Sequence, residues 1–207
     1  MLAACADGPG EAPAETPDET PEKAPATEEP SGPQEPESPP AEQPGTEDAG
    51  QEAAPVPGEA TTGHSEDDGD PGGHLTVTDV RVGTHGDFDR VTFELAGEAE
   101  AGWFVELPDE ARAQGSGHPV EVAGEHVLGV ALRNVSLPPD LPDELAAYEG
   151  PDRIAAPDGA RLMTEVVEDT VFEGHHTYFV GADEPIAYRI ERLDDPQRVV
   201  LDLVPDA

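Results

Sequence analysis

The 207-residue chain is strongly acidic, with 47 Asp and Glu against 10 Lys and Arg and a formal net charge of −37. This balance excludes nucleic-acid binding as a default, because phosphate contacts need Lys and Arg to displace counterions. It also disfavours electrostatic adhesion to anionic lipid. The single cysteine excludes an intrachain disulfide, and no apolar run approaches the roughly 18 residues of a transmembrane helix.

Residues 2–5 read Leu-Ala-Ala-Cys and contain the sole cysteine, Cys5. The pattern resembles the lipobox of bacterial lipoproteins, in which the cysteine is diacylated, and two acyl chains give stable membrane anchoring. Only Met1 precedes it, so the basic and apolar regions of a secretory signal would lie upstream of this start. We expect residues 1–5 to be the remnant of a lipoprotein signal that anchors the chain to the outer leaflet of the cytoplasmic membrane. The alternative is an ordinary cytosolic N-terminus.

Residues 6–73 hold 19 of the 47 acids and one Lys, with Pro or Gly at short intervals and no hydrophobic periodicity. Such a segment cannot bury enough apolar surface to offset its ordering entropy, so we predict a long disordered linker. Within it, the acidic run 66–70 lacks the downstream Glu of an EF-hand. The run favours a solvated acidic patch over a calcium site.

Alternating apolar residues begin at position 74 and indicate half-buried strands. Their phase shifts near Thr78, which indicates a β-bulge, and residues 84–87 read as a turn. The strand patterns cover residues 75–82, 91–95, 103–107, 120–122, 128–132, 161–173, 178–180, 186–190 and 199–203. The β-branched residues of 161–173 favour a strand there over a helix. About eight to ten short strands predict an antiparallel β-sandwich or barrel over residues 74–207.

Residues 134–160 interrupt this pattern with an irregular insertion that contains five prolines. Within it, residues 142–148 are predicted as a short helix, with the apolar side chains of Leu141, Leu145 and Tyr148 on one side. Long loops inside compact domains are often functional, so the insertion is a candidate lid or binding loop.

Residues 90–95 and 198–203 share the pattern Arg-Val-x-apolar-acid-Leu. In each, the Arg and the acid lie about 13 Å apart along a strand, too far to pair with each other but able to pair with a neighbouring strand. Together with the residues just before them, 88–89 and 195–197, these segments resemble AMIN-type domains, and most closely the AMIN-like domain of actinobacterial lipoproteins. The resemblance covers about residues 74–207. It implies a β-sandwich that localises proteins at peptidoglycan.

Catalytic and metal-binding motifs are missing from the sequence. There is no His-Glu-x-x-His, and the adjacent pair His175 and His176 would point to opposite faces of a strand. There is no Gly-x-Ser-x-Gly nucleophile elbow. We therefore expect neither an enzyme nor a metal or other cofactor.

Four residues are candidates for ligand binding. Arg90 and Arg198 would contact the peptide carboxylates of peptidoglycan in a bidentate manner. In a strand, one aromatic residue of each adjacent pair faces away from the core, so an outward Trp103 or Tyr178 would offer a stacking platform. The alternatives are that the arginines decorate a solvated sheet face and that long loops cover the aromatics.

The sequence as a whole predicts an extracytoplasmic, monomeric, non-enzymatic lipoprotein. Its AMIN-like domain would bind peptidoglycan or another cell-wall polymer. A second hypothesis is a module that recruits or regulates a cell-wall enzyme through an exposed sheet edge. A third is a small-ligand carrier or hydrolase with its cleft at residues 134–160.

Overall fold

The structure of the chain, a computed structural model, describes residues 54–206. The predicted lipobox with Cys5 and residues 6–53 of the predicted linker lie outside this range. Within it, ten strands form two antiparallel sheets, and no helix has the length and hydropathy to span a membrane. The predicted all-β sandwich is confirmed.

The ten strands divide into a four-stranded and a six-stranded sheet. The four-stranded sheet has the order β2-β3-β10-β9, with the bounds Leu75–His85, Phe88–Gly97, Arg198–Pro205 and Ile186–Leu193. The six-stranded sheet has the order β1-β4-β5-β8-β7-β6, with the bounds Ser65–Asp67, Gly102–Glu106, His126–Arg133, His175–Ala182, Met163–Phe172 and Arg153–Ala155.

The core lies between the two sheets. On β3, Val91, Phe93 and Leu95 are buried, as the alternation predicts. The Phe93 ring lies 4.8 Å from the ring of Tyr178 on β8, so side chains of the two inner faces interdigitate.

Three local predictions are confirmed. The four-stranded sheet begins with a hairpin in which Gly86 and Asp87 turn between β2 and β3. In this hairpin Val77 pairs with Leu95 and Asp79 with Glu94, which leaves Thr78 as the extra residue of a bulge. The ambiguous segment 161–173 contains strand β7.

Two predictions inside the loops are wrong. Residues 142–148 form a turn at 143–144 and otherwise irregular backbone instead of a helix, and the regular elements of the insertion are a 3₁₀ turn at Pro138–Asp140 and the short strand β6. A seven-residue segment is too short to nucleate a helix unaided, and Tyr148 packs on the core from irregular backbone. Residues 120–122 are not a strand; Val120 and Val122 instead pack over Phe179 on the outer face of the six-stranded sheet.

The predicted boundary of the linker at residue 73 is also wrong, because residues 54–73 belong to the folded domain. Residues 54–63, here called the strap, cross the four-stranded sheet. Residues 65–70, here called the acidic loop, contain β1, which pairs with β4. The composition predicts disorder, but arginines of the domain bind the carbonyls and carboxylates of both segments. These contacts offset the ordering entropy that apolar burial alone would not.

Candidate binding site

The two Arg-Val repeats form a cross-strand ion pair. The antiparallel register of β3 and β10 places Arg90 opposite Asp202 and Arg198 opposite Glu94. Arg90 donates from Nε to Oδ1 of Asp202 at 2.7 Å and from Nη2 to Oδ2 at 2.9 Å, and the Asp202 side chain is fully buried. This is a bidentate, largely desolvated pair.

The strap forms one hydrogen bond with each member of this pair. Arg90 donates from Nη2 to the carbonyl of Ala54 at 2.9 Å, and the backbone N–H of Val56 donates to Oδ2 of Asp202 at 2.7 Å. The Arg90 guanidinium also lies 5.1 Å from the ring centroid of Phe88. Arg90 therefore binds the chain's own segments, and its Nε and Nη2, the donors of the bidentate contact predicted for a ligand, are already bound to Asp202 and Ala54.

The second repeat arginine has a different environment. Arg198 donates to the carbonyls of Pro196 (3.1 Å) and Asp194 (3.5 Å) and so braces the turn between β9 and β10. Its cross-strand neighbour Glu94 instead accepts from Arg81 at 2.9 Å. No contact brings Arg198 close to Arg90, Trp103 or Tyr178 in a common site.

Asp89, next to Arg90, has a structural role that its sequence context does not disclose. Its Oδ2 accepts the backbone N–H groups of Arg161, Leu162 and Met163 at 2.8–3.0 Å. The fully buried carboxylate therefore fixes the start of β7 to β3. Its Oδ1 has no hydrogen-bond partner among the described residues.

The predicted stacking platforms Trp103 and Tyr178 both face inward. Tyr178 is 1% exposed, packs on Phe93 and shares a 3.2 Å hydrogen bond with Nδ1 of His176. Burial raises the pKa of the Tyr178 phenol far above its usual value. Trp103 is half-buried: its Nε1 donates to Ser65 at 3.2 Å, and the Arg192 guanidinium lies 5.7 Å from its ring centroid. Neither ring is therefore the outward platform predicted for it, because the strand phase places Tyr178 in the core and packs Trp103 against the core.

The outward members of the two aromatic pairs are therefore Phe104 and Phe179. Loop residues cover Phe179, which is buried. Phe104 is half-buried, and the guanidinium of Arg133, at the end of β5, lies 5.8 Å from its ring centroid, a cation–π contact. Phe104 and Arg133 therefore form a cation–aromatic pair on the outer face of the six-stranded sheet.

The acidic loop meets Arg133 from one side. Arg133 donates from Nη2 to Glu66 at 3.1 Å and from Nη1 to Asp68 at 2.5 Å. Burial by itself would raise the pKa of Asp67. The hydrogen bonds from Arg192 and the Gly69 N–H, with the charges of Arg192 and Arg133, hold that pKa below its usual range. Three carboxylates of the predicted solvated acidic patch thus pair with arginines, although those of Glu66 and Asp68 remain exposed. Within residues 54–206, no cluster of His, Asp and Glu fits a metal ion.

A cavity of about 450 Å³ opens beside Arg133 at this end of the sheet. Its lining presents polar and apolar surface in similar amounts and comes from Asp68, Gly69, Pro71, Arg133, Asn134, Glu173, Gly174 and His175. Asn134 shapes one wall: it adopts a left-handed φ of 67° and donates from Nδ2 to the carbonyls of Asp68 (2.8 Å) and Glu100 (2.9 Å). The cavity with Phe104 and Phe172 is here called the Arg133 site.

Phe172 extends the site across the neighbouring turn. It is 36% exposed, and the loop at Gly115 approaches its ring so closely that an added Cβ would lie 3.2 Å away. Gln114 of that loop lies 3.3 Å from Nδ1 of His175 and accepts from Thr177 at 3.1 Å. Sequence reasoning missed this site. The sequence feature that could have indicated it is the strand alternation, because Phe104 must face outward if Trp103 faces inward.

A second cavity, of about 630 Å³, lies at the opposite end of β2, around the hairpin turn and the start of the strap. It is lined by Ala54, Pro55, His85, Gly86, Asp87, Phe88, Arg189, Val204 and Pro205. Of the insertion at residues 134–160, where a cleft was a candidate, Asn134 lines the first cavity and no residue lines the second.

A family model for the AMIN-like domain matches residues 75–205, which is more than half of the chain. The chain belongs to the AMIN-like domain family. A comparison with curated proteins found no match. The AMIN-like match begins at β2, whereas the folded part of this chain also includes the strap and the acidic loop, which supplies two carboxylates to Arg133.

Proposed function

We propose that this chain is a non-enzymatic, extracytoplasmic lipoprotein whose AMIN-like domain binds peptidoglycan or a related cell-wall polymer at the Arg133 site. The observation that carries the proposal is the cation–π contact of Arg133 with Phe104, in which Arg133 also lines the adjacent cavity. Aromatic faces beside a few convergent polar groups suit ligands with both apolar ring faces and hydrogen-bonding groups. Sugars and short peptides, the components of peptidoglycan, have both.

Local contacts at the Arg133 site would drive this binding, because the net negative charge of the domain opposes it. From residue 74 onward the chain carries 28 acids against nine Arg, so long-range electrostatics repel an anionic wall at low ionic strength. Screening by salt weakens this repulsion beyond a Debye length of about 8 Å at physiological ionic strength. We therefore expect wall binding to strengthen with moderate salt.

Strand addition by a protein partner receives less support. The edge strands β1 and β6 have three residues each. The edge strand β2 carries the Thr78 bulge and the exposed charge of Arg81, devices that disfavour edge-to-edge pairing. The strap pairs with edge strand β9 through reciprocal backbone bonds of 2.9 Å between Thr61 and Tyr188.

The test is co-sedimentation of the full chain with purified peptidoglycan at low and high salt, with Cys5→Ser to keep the protein free of lipid. We expect retention of this parent and loss of retention in Arg133→Ala and Phe104→Ala. Arg81→Ala, which removes an exposed arginine on the other sheet, is the matched control. Retention that is unchanged in both site variants would refute the site, and lack of retention of the parent at every salt concentration would refute wall binding.

Membrane attachment through Cys5 has a separate test. When the chain is produced in a bacterial host behind a lipoprotein signal, we expect it to partition into detergent and its N-terminal peptide to carry a diacylglyceryl mass. Cys5→Ser should move the protein to the aqueous phase. Detergent partition that is unaffected by Cys5→Ser would contradict the anchor.

A further inference from the structure

Arg133 is a fixed cation whose present partners are replaceable. Its side chain is 21% exposed and is held by the Phe104 ring independently of the acids. The Asp68 side chain that it contacts is 95% exposed, and Glu66 is also exposed. Ion pairs with such exposed carboxylates are worth little.

Neither acid forms a bidentate pair with the Arg133 guanidinium. Asp68 contacts Nη1 and Glu66 contacts Nη2, so each carboxylate makes a single contact. One carboxylate bound through both of its oxygens matches the planar fork of arginine better. A ligand carboxylate that enters the cavity can therefore replace Asp68 and gain a bidentate contact.

The rest of the cavity selects for a ligand that also carries positive charge. Glu173 also lines it and has no ion-pair partner among residues 54–206. Glu173 lies on the tight β7–β8 turn, where its backbone adopts a left-handed φ of 48°. A purely anionic group, such as a phosphate polymer, would be repelled by the Glu173 carboxylate.

We propose that the Arg133 site recognises a zwitterionic peptide end, with a free carboxylate on Arg133 and an ammonium group on Glu173, and that Asp68 is the resident competitor which the ligand carboxylate displaces. This inference rests on the proposed function, and it assigns recognition to the peptide part of the wall rather than to its glycan. It also predicts that Asp68 weakens binding although it lines the site.

The experiment uses the full-length Cys5→Ser chain and a synthetic peptide with one lysine and a free C-terminal carboxylate. Affinity is measured by calorimetry against the same peptide with a C-terminal amide, and against the peptide with acetylated lysine. We expect the amide to bind about tenfold more weakly and the acetylated peptide to lose affinity similarly. Asp68→Ala should bind the carboxylate peptide more tightly than the parent, and Arg133→Lys more weakly. Arg81→Ala should leave the affinity unchanged.

A second arm separates this inference from the proposed function. Intact peptidoglycan and glycan strands stripped of their peptides are compared in co-sedimentation with the same chain. Retention on the intact wall alone supports recognition of the peptide end. Equal retention on stripped glycan, equal affinity for the amide peptide, or weaker binding by Asp68→Ala overturns it while wall binding stands. Failure to bind the intact wall overturns the proposed function itself.

Discussion

Arg90 of the first Arg-Val repeat and Asp202 of the second form a bidentate ion pair, with Nε 2.7 Å from Oδ1 and Nη2 2.9 Å from Oδ2. The four-residue spacing within each repeat, on antiparallel neighbouring strands, places each arginine opposite the acid of the other repeat. Only this pair forms, because Glu94 binds Arg81 and Arg198 braces its own turn. The repeat therefore specifies the pairing of β3 with β10 rather than a ligand site.

Loss of this pair should destabilise the domain strongly. Asp202→Asn keeps the volume but leaves Arg90, 16% exposed, without its charge partner. We expect a loss of about 3 kcal/mol in the free energy of unfolding, as for other buried pairs that lose one member. Urea denaturation measures it. Arg198→Ala is the control and should change the free energy by less than about 1 kcal/mol. A similar small effect of Asp202→Asn would contradict the structural role.

Removal of the strap and the acidic loop should also destabilise the domain. A chain that begins at residue 74 lacks the Val56 N–H on Asp202 and the Asp67 contact to Arg192. The remaining buried Asp202 would lose one of its donors, and such losses cost about 1–3 kcal/mol each. Thermal unfolding of chains that begin at residues 54 and 74 compares the two. Equal melting temperatures would show that the strap and the acidic loop contribute nothing to the stability of the fold.

Alternation and turn chemistry were sufficient to predict most of the sheet architecture. The Thr78 bulge, the Gly86 turn and the inward face of Phe93 follow from local periodicity, which burial on one face of a strand enforces. The sandwich follows from many short strands of this kind.

The site could not be predicted in the same way, because its parts meet only through tertiary contacts. The alternation rule cannot say which of Trp103 and Phe104 faces inward. Arg133 acquires its role from Phe104 on the neighbouring strand and from carboxylates about 65 residues away in sequence. Composition also misassigned the strap, since the arginines that bind it are distant in sequence.

The tyrosines should resist ionisation while the protein is folded. Burial raises the pKa of Tyr178 and of Tyr148 above their usual value and that of Tyr188 to about 12. These raised values favour the neutral phenol in the folded state. Their contribution to stability is complete below the unfolded value of about 10 and is lost as pH rises above it.

Phenolate absorbance, followed together with circular dichroism as pH is raised, tests this prediction. We expect absorbance to rise only as the sheet signal is lost. Tyr188→Phe removes the 2.8 Å hydrogen bond to the Gly63 carbonyl and one titrating group. A phenolate that forms near pH 10 with the sheet signal intact would contradict the burial of these rings.

Asp67 should make the acid side of the stability profile steeper. Its folded-state pKa lies below the ordinary value of 3.8, because Arg192, Arg133 and the Gly69 N–H outweigh the effect of burial. The unfolded chain therefore binds a proton at higher pH than the folded chain does. The contribution of Asp67 is present above pH 3.8 and is lost as pH falls through the lower folded-state pKa.

The variant Asp67→Asn should be less stable than the parent at neutral pH, and this difference in the free energy of unfolding should shrink below about pH 4. Urea titrations of both chains at several pH values measure the difference, and a deficit that stays constant into acid would show that the Asp67 charge does not stabilise the acidic loop.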